Sequence, residues 1–398
     1  MRIGIDIRVL MDDNYSGVSK YADNLIKALL KKENNDNKLD AISNQYHFFY
    51  NSWANIAHKF SRFSKQGVEI KSLSIPNKIF NYFCQKLFKN PKIDLLLKEP
   101  DILFFPHINF ISFSKNTKTK KVITVHDLSF MRHPEYFSIR KNFWHKALSV
   151  KKLLQSFDLI IAVSESTKND IIELCDVSED KIRVIYSGTE EMGLLDQSFE
   201  SLRADFFNSR KMNCCLGKKY LLYLGTIEPR KNIINIVKSY NHLRDNNKDY
   251  NYPLVLAGGK GWKTKSIYKE IRRSKYKNDI ILTGYVSDKQ REYLLSSAYI
   301  FLYPSLYEGF GFPPLEAMSF SVPVITSNIS SMPEVVADSA LLINPNDYLE
   351  ISHAISSLLE SKELQNLLIE RGKNRIGQFN WDKTANEYLE AFNDIIKK

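Results

Sequence analysis

A chain of 398 residues with 43% hydrophobic and 25% charged side chains is too long for one ordinary core and too apolar for a disordered or fibrous polymer. Two domains of roughly 200 residues each are therefore expected. The formal charge of +11 is uneven, with nine Lys or Arg against two acids in residues 59–98 and ten against two in residues 115–155.

No apolar run approaches the roughly 18 residues of a membrane span. Arg2, Asp6 and Arg8 interrupt the apolar amino terminus, which argues against a secretory segment and for a cytoplasmic protein. The cysteines Cys84, Cys175, Cys214 and Cys215 form no C-x-x-C pair and have no histidine at ligand spacing, so they read as reduced thiols without structural zinc. The basic stretches are either solvated surface or a field for anionic headgroups or a phosphorylated acceptor. Nucleic acid ranks last among the partners and none is expected, since none of its common recognition motifs is present.

Short apolar runs alternate with helical-period segments along the chain. In the first half these are Arg2–Ile7, Ile102–Pro106, Val122–Val125, Leu159–Val163 and Arg183–Tyr186. In the second they are Tyr220–Leu224, Leu254–Ala257, Ile280–Leu282, Ile300–Tyr303 and Pro323–Thr326. Short buried strands separated by helices predict βα units and parallel sheets, hence two successive α/β domains. Residues 191–217 lack apolar periodicity, so the boundary is set there, giving domains 1–195 and 196–378. Ligands in such folds bind beyond the carboxyl ends of strands.

Four segments after strands carry the chemistry. Gly17-Val18 precedes a helical pattern from Ser19 to Leu30; a small residue there admits a phosphate to backbone N–H groups, or merely makes the turn. The fingerprint G-x-G-x-x-G is missing, which counts against an NAD-dependent oxidoreductase. His126-Asp127, after Val122–Val125, reads as a substrate-positioning pair or as a histidine satisfying its loop. Gly225 leads into Thr226-Ile227-Glu228-Pro229-Arg230-Lys231-Asn232, and two adjacent cations at a helix start call for an anion between them; a diphosphate would serve.

The strongest signal lies after Ile300–Tyr303, in Glu308-Gly309-Phe310-Gly311-Phe312-Pro313-Pro314-Leu315-Glu316. The glycines leave N–H groups accessible and the prolines pre-set a helix start. Glu316 then falls in the first turns, where a carboxylate can accept from two vicinal ribose hydroxyls. Glu308, on the preceding loop, can face the sugar.

Assembled, these segments make the chain resemble glycosyltransferase family 4, retaining enzymes of the GT-B fold. Glu308 and Glu316 match the paired-glutamate motif, Arg230-Lys231 the cationic element, Gly17-Val18 the amino-terminal glycine loop and His126-Asp127 the His-Asp element. Val163-Ser164-Glu165-Ser166-Thr167, Gly258-Gly259, Gly284-Tyr285-Val286-Ser287 and Phe379-Asn380-Trp381 match as well. Thr226 stands where many members place an arginine, and Ser321 where a glycine is common.

The resemblance implies an α/β GT-B fold of two Rossmann-like parallel-sheet domains facing a cleft, with a final helix at about 379–398 packing back on the first. It implies catalytic roles for His126, Arg230, Lys231 and Glu308. Donor contacts are implied from Gly17, Val18, Gly225, Val286, Gly309, Phe310, Gly311, Phe312, Leu315 and Glu316. No acidic D-x-D element stands out after a strand, so transfer without metal or other cofactor is expected. The resemblance implies a nucleotide-diphosphate sugar as donor, with GDP-mannose preferred to UDP- or dTDP-sugars. The acceptor it implies is a saccharide or a polyprenyl-diphosphate-linked saccharide in surface-polysaccharide assembly, such as that of lipopolysaccharide. The resemblance also favours peripheral attachment to an anionic membrane surface at the inner face of the cytoplasmic membrane. Phe130, Tyr136, Phe137, Phe143 and Trp144 among the basic groups of residues 115–155 would contribute to it. A pyridoxal-phosphate sugar phosphorylase and a catalytically silent nucleotide-sugar-binding scaffold are the remaining alternatives.

Overall fold

The computed structural model describes residues 1–11, 16–36, 44–189, 219–247 and 249–397. It divides into two compact units, one of Met1–Arg132, Arg140–Gly188 and Asn380–Lys398, the other of His133–Ile139 and Thr189–Phe379. The expected boundary at 195/196 and both Cys214 and Cys215 lie outside the described residues.

In the first unit β1 (Arg2–Asp6), β2 (Gln45–Asn51), β3 (Glu69–Leu73), β4 (Ile102–Phe105), β5 (Lys120–Val125), β6 (Leu159–Ala162) and β7 (Ile182–Val184) form one parallel sheet in the order β3-β2-β1-β4-β5-β6-β7. β4 and β6 are apolar and buried at every position, as strands covered on both faces must be. The edge strand β3 carries Glu69, Lys71 and Ser72, so no apolar run announces it. Around the sheet run α1 (Gly17–Asp36), α2 (Ile79–Phe88, wound in π register), α3 (Ile139–Leu148), α4 (Val150–Gln155) and α5 (Glu165–Cys175).

The second unit holds β8 (Tyr220–Leu224), β9 (Leu254–Ala257), β10 (Ile280–Gly284), β11 (Ala298–Tyr303), β12 (Val324–Ser327) and β13 (Leu341–Ile343), all parallel, in the order β10-β9-β8-β11-β12-β13. Its helices are α6 (Ile233–Asn246), α7 (Lys265–Arg273), α8 (Asp288–Ser297), α9 (Phe312–Ser319), α10 (Tyr348–Glu360) and α11 (Lys362–Ile376). The chain then returns to the first unit as α12 (Trp381–Lys397), which packs on α1. There the Tyr388 hydroxyl meets Tyr21 at 2.5 Å and Thr124 at 2.7 Å, and a Cβ on Gly188 would lie 2.4 Å from the Trp381 nitrogen.

The basic stretch 115–155 does not form a single aromatic and basic face. Phe137 is buried with its ring stacked 5.7 Å from Trp262, and the Tyr136 carbonyl accepts Trp262 Nε1–H at 2.7 Å, both within the second unit. Arg132 pairs with Asp170 and Glu173, and Lys121 lies 3.4 Å from Asp158. Phe143 and Trp144 remain exposed on α3. Among the described residues no helix is long and apolar enough to cross a membrane.

Both sheets reverse their strand order beside the first strand, between β1 and β4 and between β8 and β11; such switch points open a crevice at the carboxyl ends. Behind that end of β8 and β9 the backbones touch. Gly225 has φ +152° and Gly258 φ +150°, and a Cβ on Gly258 would stand 1.9 Å from the Gly225 carbonyl oxygen. Gly258→Ala should therefore cost about 2 kcal/mol or more in urea unfolding. Gly17→Ala, where an added Cβ meets nothing within 4 Å, should leave the midpoint within a few tenths of a kcal/mol. Equal midpoints for the two variants would contradict the packing described.

Candidate active site

The loops after β8 and β11 bring Arg230, Lys231 and Glu308 together at the second switch point. Pro229–Lys231 makes one tight turn, closed by Asn232 in the left-handed region at φ 58°, which asparagine tolerates. The Asn232 amide donates to the carbonyls of Pro304 at 3.0 Å and Pro345 at 2.6 Å, and Leu306 N–H donates to the Arg230 carbonyl at 2.9 Å. The cationic turn is thus tied to the β11 loop by its backbone.

The side chains complete the junction. Lys231 Nζ is buried and donates to Glu308 Oε1 and to the Tyr303 hydroxyl at 2.7 Å. Arg230 Nη1 reaches Glu308 Oε2 at 3.2 Å and the Tyr307 carbonyl at 3.1 Å, while its Nε meets Glu228 Oε1 at 3.2 Å. Burial alone would raise the Glu308 pKa; the Arg230 and Lys231 charges outweigh it and hold the group down at about 2. Burial lowers the Lys231 pKa, opposed by Glu308. The anion expected between the two cations is thus, in this structure, Glu308 itself. A desolvated ammonium demands a counter-ion beside it, and Glu308 fills that place. Sequence reasoning missed Glu228, Tyr303 and the serines that clamp the loop. Ser330 Oγ accepts Glu308 N–H at 3.0 Å and Ser331 Oγ donates to the Phe310 carbonyl at 2.9 Å.

Gly311 caps α9 at φ +99°, where a Cβ would lie 2.0 Å from Met332 Cε. Pro313 and Pro314 occupy its first turn, where a missing N–H costs no helical bond. Phe310 is buried against Phe312 and Phe379, and Leu315 is fully buried. Any donor contact from these two must come from the main chain, a restriction on the side-chain roles the resemblance left open. Glu316, on the second turn of α9, pairs with Arg291 Nη1 of α8 at 2.8 Å, a partner no sequence signal marked. Val286 precedes Ser287, whose capping box with Gln290 starts α8.

His126, Gly17 and Val18 belong to the first unit. Ser16 Oγ accepts Ser19 N–H at 3.2 Å, so Gly17 opens α1 and its side is exposed. His126 Nε2 lies 2.8 Å from the Pro106 carbonyl. A carbonyl only accepts, so Nε2 carries the hydrogen and the neutral ring keeps Nδ1 as an acceptor. Burial lowers the His126 pKa and favours that neutral form. Asp127 accepts Ser129 N–H at 3.0 Å and its hydroxyl at 2.6 Å, which makes it a local cap. His107, just after β4, was missed, although it follows an apolar strand as His126 does. Burial pushes its pKa down to about 4, and its buried Nδ1 has no hydrogen-bond partner. Among the described residues no three His, Cys, Asp or Glu side chains are grouped to hold a metal ion.

The Glu308 ionisation sets a pH dependence. A folded pKa of about 2 against the usual 4.5 gives stability that is full above about pH 5 and lost as pH falls toward 2. Glu308→Gln should lower stability near neutral pH by roughly 3 kcal/mol, since it strands the buried Lys231 ammonium, and should flatten this acid limb. Urea titrations of both proteins across that range measure it; parallel curves would refute the assignment.

Two family models match the chain. That for "Glycosyltransferase Family 4" covers residues 15–191 and that for "Glycosyl transferases group 1" covers residues 206–375. The O-antigen chain mannosyltransferase B of Escherichia coli is 34% identical over 69% of this chain and 70% of that protein. A serotype-specific mannosyltransferase of the same species is 29% identical over 71% of this chain, which spans only 34% of that protein. Two solved structures share the fold. Sucrose-phosphate synthase from Thermosynechococcus elongatus has a TM-score of 0.72 and 17% identity, covering 100% of this chain and 99% of its own. Anabaena HepE in complex with UDP and glucose has a TM-score of 0.69 and 15% identity, covering 99% and 100%. With two parallel-sheet units and these matches, the chain belongs to glycosyltransferase family 4 and is a hexosyl-transferring enzyme of the GT-B fold.

Proposed function

We propose that this enzyme transfers mannose from GDP-mannose, with retention of configuration, to a polyprenyl-diphosphate-linked saccharide during surface-polysaccharide assembly at an anionic membrane surface. The observation that carries the reading is the buried Arg230–Lys231–Glu308 cluster at a sheet switch point, beside the start of α9. The mannosyltransferase names of the relatives support the choice of sugar.

The chemistry follows from charge. Breaking the bond from the sugar C1 to the phosphate oxygen leaves a diphosphate that Lys231, Arg230 and the backbone N–H groups of Phe310 to Phe312 stabilise. The acceptor oxygen bonds to C1 on the same face, and its proton passes to the departing phosphate oxygen, so no protein nucleophile is needed. Glu308 keeps both cations aligned and charged. Glu316, oriented by Arg291, serves the ribose hydroxyls, and His126 Nδ1 accepts a sugar hydroxyl. No metal enters this scheme.

Incubation with GDP-mannose, UDP-glucose and dTDP-rhamnose should release nucleoside diphosphate from GDP-mannose alone, and equally in excess chelator. Release only from another donor would overturn the sugar, and activity restored by magnesium after chelation would overturn the metal-free scheme. Lys231→Ala should lower turnover about 10²-fold or more, as loss of an electrostatic stabiliser does. Wild-type turnover in that folded variant would remove Lys231 from the mechanism. Nucleotide-sugar binding without turnover against a polyprenyl-linked saccharide fraction would favour a silent scaffold.

A further inference from the structure

A helix on a water-soluble unit ordinarily turns its apolar residues inward, and α2 does the reverse. In π register residues five apart share a face, and Phe80 and Gln85 point into the unit. The outward side carries Ile79, Tyr82, Phe83, Leu87 and Phe88, with Phe83 48% and Phe88 73% exposed. Five large apolar side chains on one exposed helix make a patch, where scattered singles would need no explanation. The surrounding charge has one sign: residues 78–92 contain Lys78, Lys86, Lys89 and Lys92 and a single acid, Asp94, lies only beyond them.

The neighbouring helix repeats the pattern. Phe143 and Trp144 of α3 are exposed, and residues 140–152 contain Arg140, Lys141, Lys146, Lys151 and Lys152 without an acid, although Lys151 is paired with Asp176 outside that stretch. The two elements adjoin. Lys86 Nζ donates to Ser149 Oγ, at the end of α3, at 2.9 Å. Trp144 packs edge-on against Phe110 at 4.8 Å; the Phe110 carbonyl accepts Arg8 Nη2–H at 3.1 Å, and Arg8 Nη1 holds Asn81 of α2 at 2.9 Å. Burial lowers the Lys86 pKa, and Lys89 and Lys152 lower it further, so cations of both elements crowd one place.

We propose that the face formed by α2 and the exposed side of α3 docks the first unit onto an anionic lipid bilayer. Aromatic and aliphatic side chains enter at headgroup depth while lysine stems reach along them to the phosphates. A bilayer offers an apolar layer directly beneath a layer of negative charge, which is the complement of this face. The surface differs from the one expected within residues 115–155, since α2 supplies most of the apolar groups and Tyr136 and Phe137 belong to the second unit, Phe137 buried in it.

This inference rests on the reading that the acceptor is lipid-linked, but docking is measurable without either substrate. The full chain is sedimented with vesicles of phosphatidylcholine and with vesicles containing phosphatidylglycerol. It should bind only the latter, and less as salt rises. Phe83→Ser with Phe88→Ser should lower the bound fraction about tenfold or more. The same double variant should keep the wild-type urea midpoint and its turnover of GDP-mannose in solution. Lys78→Gln with Lys89→Gln should weaken binding in the same direction. Wild-type binding by the serine double variant, or indifference to phosphatidylglycerol, would overturn the proposal. Docking that survives a failed donor assay would leave this surface standing and refute the mannosyl reading instead.

Discussion

Glu308 lies between Arg230 and Lys231; the carboxylate and the ammonium are buried against each other, while Arg230 reaches the same carboxylate from a half-buried position. Removing Glu308 leaves the buried Lys231 ammonium without its counter-ion, which is far more costly than a lost surface ion pair. The surrounding frame serves this contact. Asn232 fixes the turn that carries the cations, Ser330 and Ser331 fix the loop that carries the acid, and Gly311 lets that loop enter α9 against Met332. Counting Glu228, two carboxylates balance two cations, so the site is not a reservoir of excess positive charge. What the pairing supplies is preorganisation: the cations are fixed in place at the switch point, and groups so held need no solvent rearrangement as charge develops beside them.

The two units use one topology for different chemistry. Both sheets run outward from a central switch point, yet the groups at their carboxyl ends differ in kind. In the second unit they are charged and paired. In the first, His107 and His126 are kept neutral by burial, and Asp6 is absorbed by Arg8 through a 2.5 Å ion pair. Neutral rings with an accepting nitrogen suit hydroxyl groups, whereas the charged cluster suits phosphate.

Much of this was legible in the sequence. The central strands were, because burial on both faces demands unbroken apolar runs such as Ile102–Phe105 and Leu254–Ala257. β2, β3 and β13 were not: β2 carries Gln45, His47 and Asn51 among its aromatics, β3 is a polar edge strand, and β13 is only three residues long. The cations and the paired glutamates could be picked out from their position after strands. Their mutual pairing could not, because Lys231 and Glu308 are 77 residues apart and only the sheet order brings β8 beside β11. Arg291 was hidden for the same reason; it sits among ordinary helix-surface residues of α8 and matters only through Glu316. The attachment of His133–Ile139 to the second unit was equally invisible, for it depends on Trp262, more than a hundred residues away.

The central claim is that the Arg230–Lys231–Glu308 cluster receives the diphosphate of the donor. Calorimetric titration of GDP and GMP into the wild-type protein and into Lys231→Ala tests it most directly. Charge-assisted contacts to the second phosphate are worth about 1.5–3 kcal/mol, so GDP should bind the wild type about tenfold or more tightly than GMP. In Lys231→Ala that gap should shrink, with GMP affinity nearly unchanged. Equal affinity for GDP and GMP in the wild type, or an undiminished gap in the variant, would contradict the account.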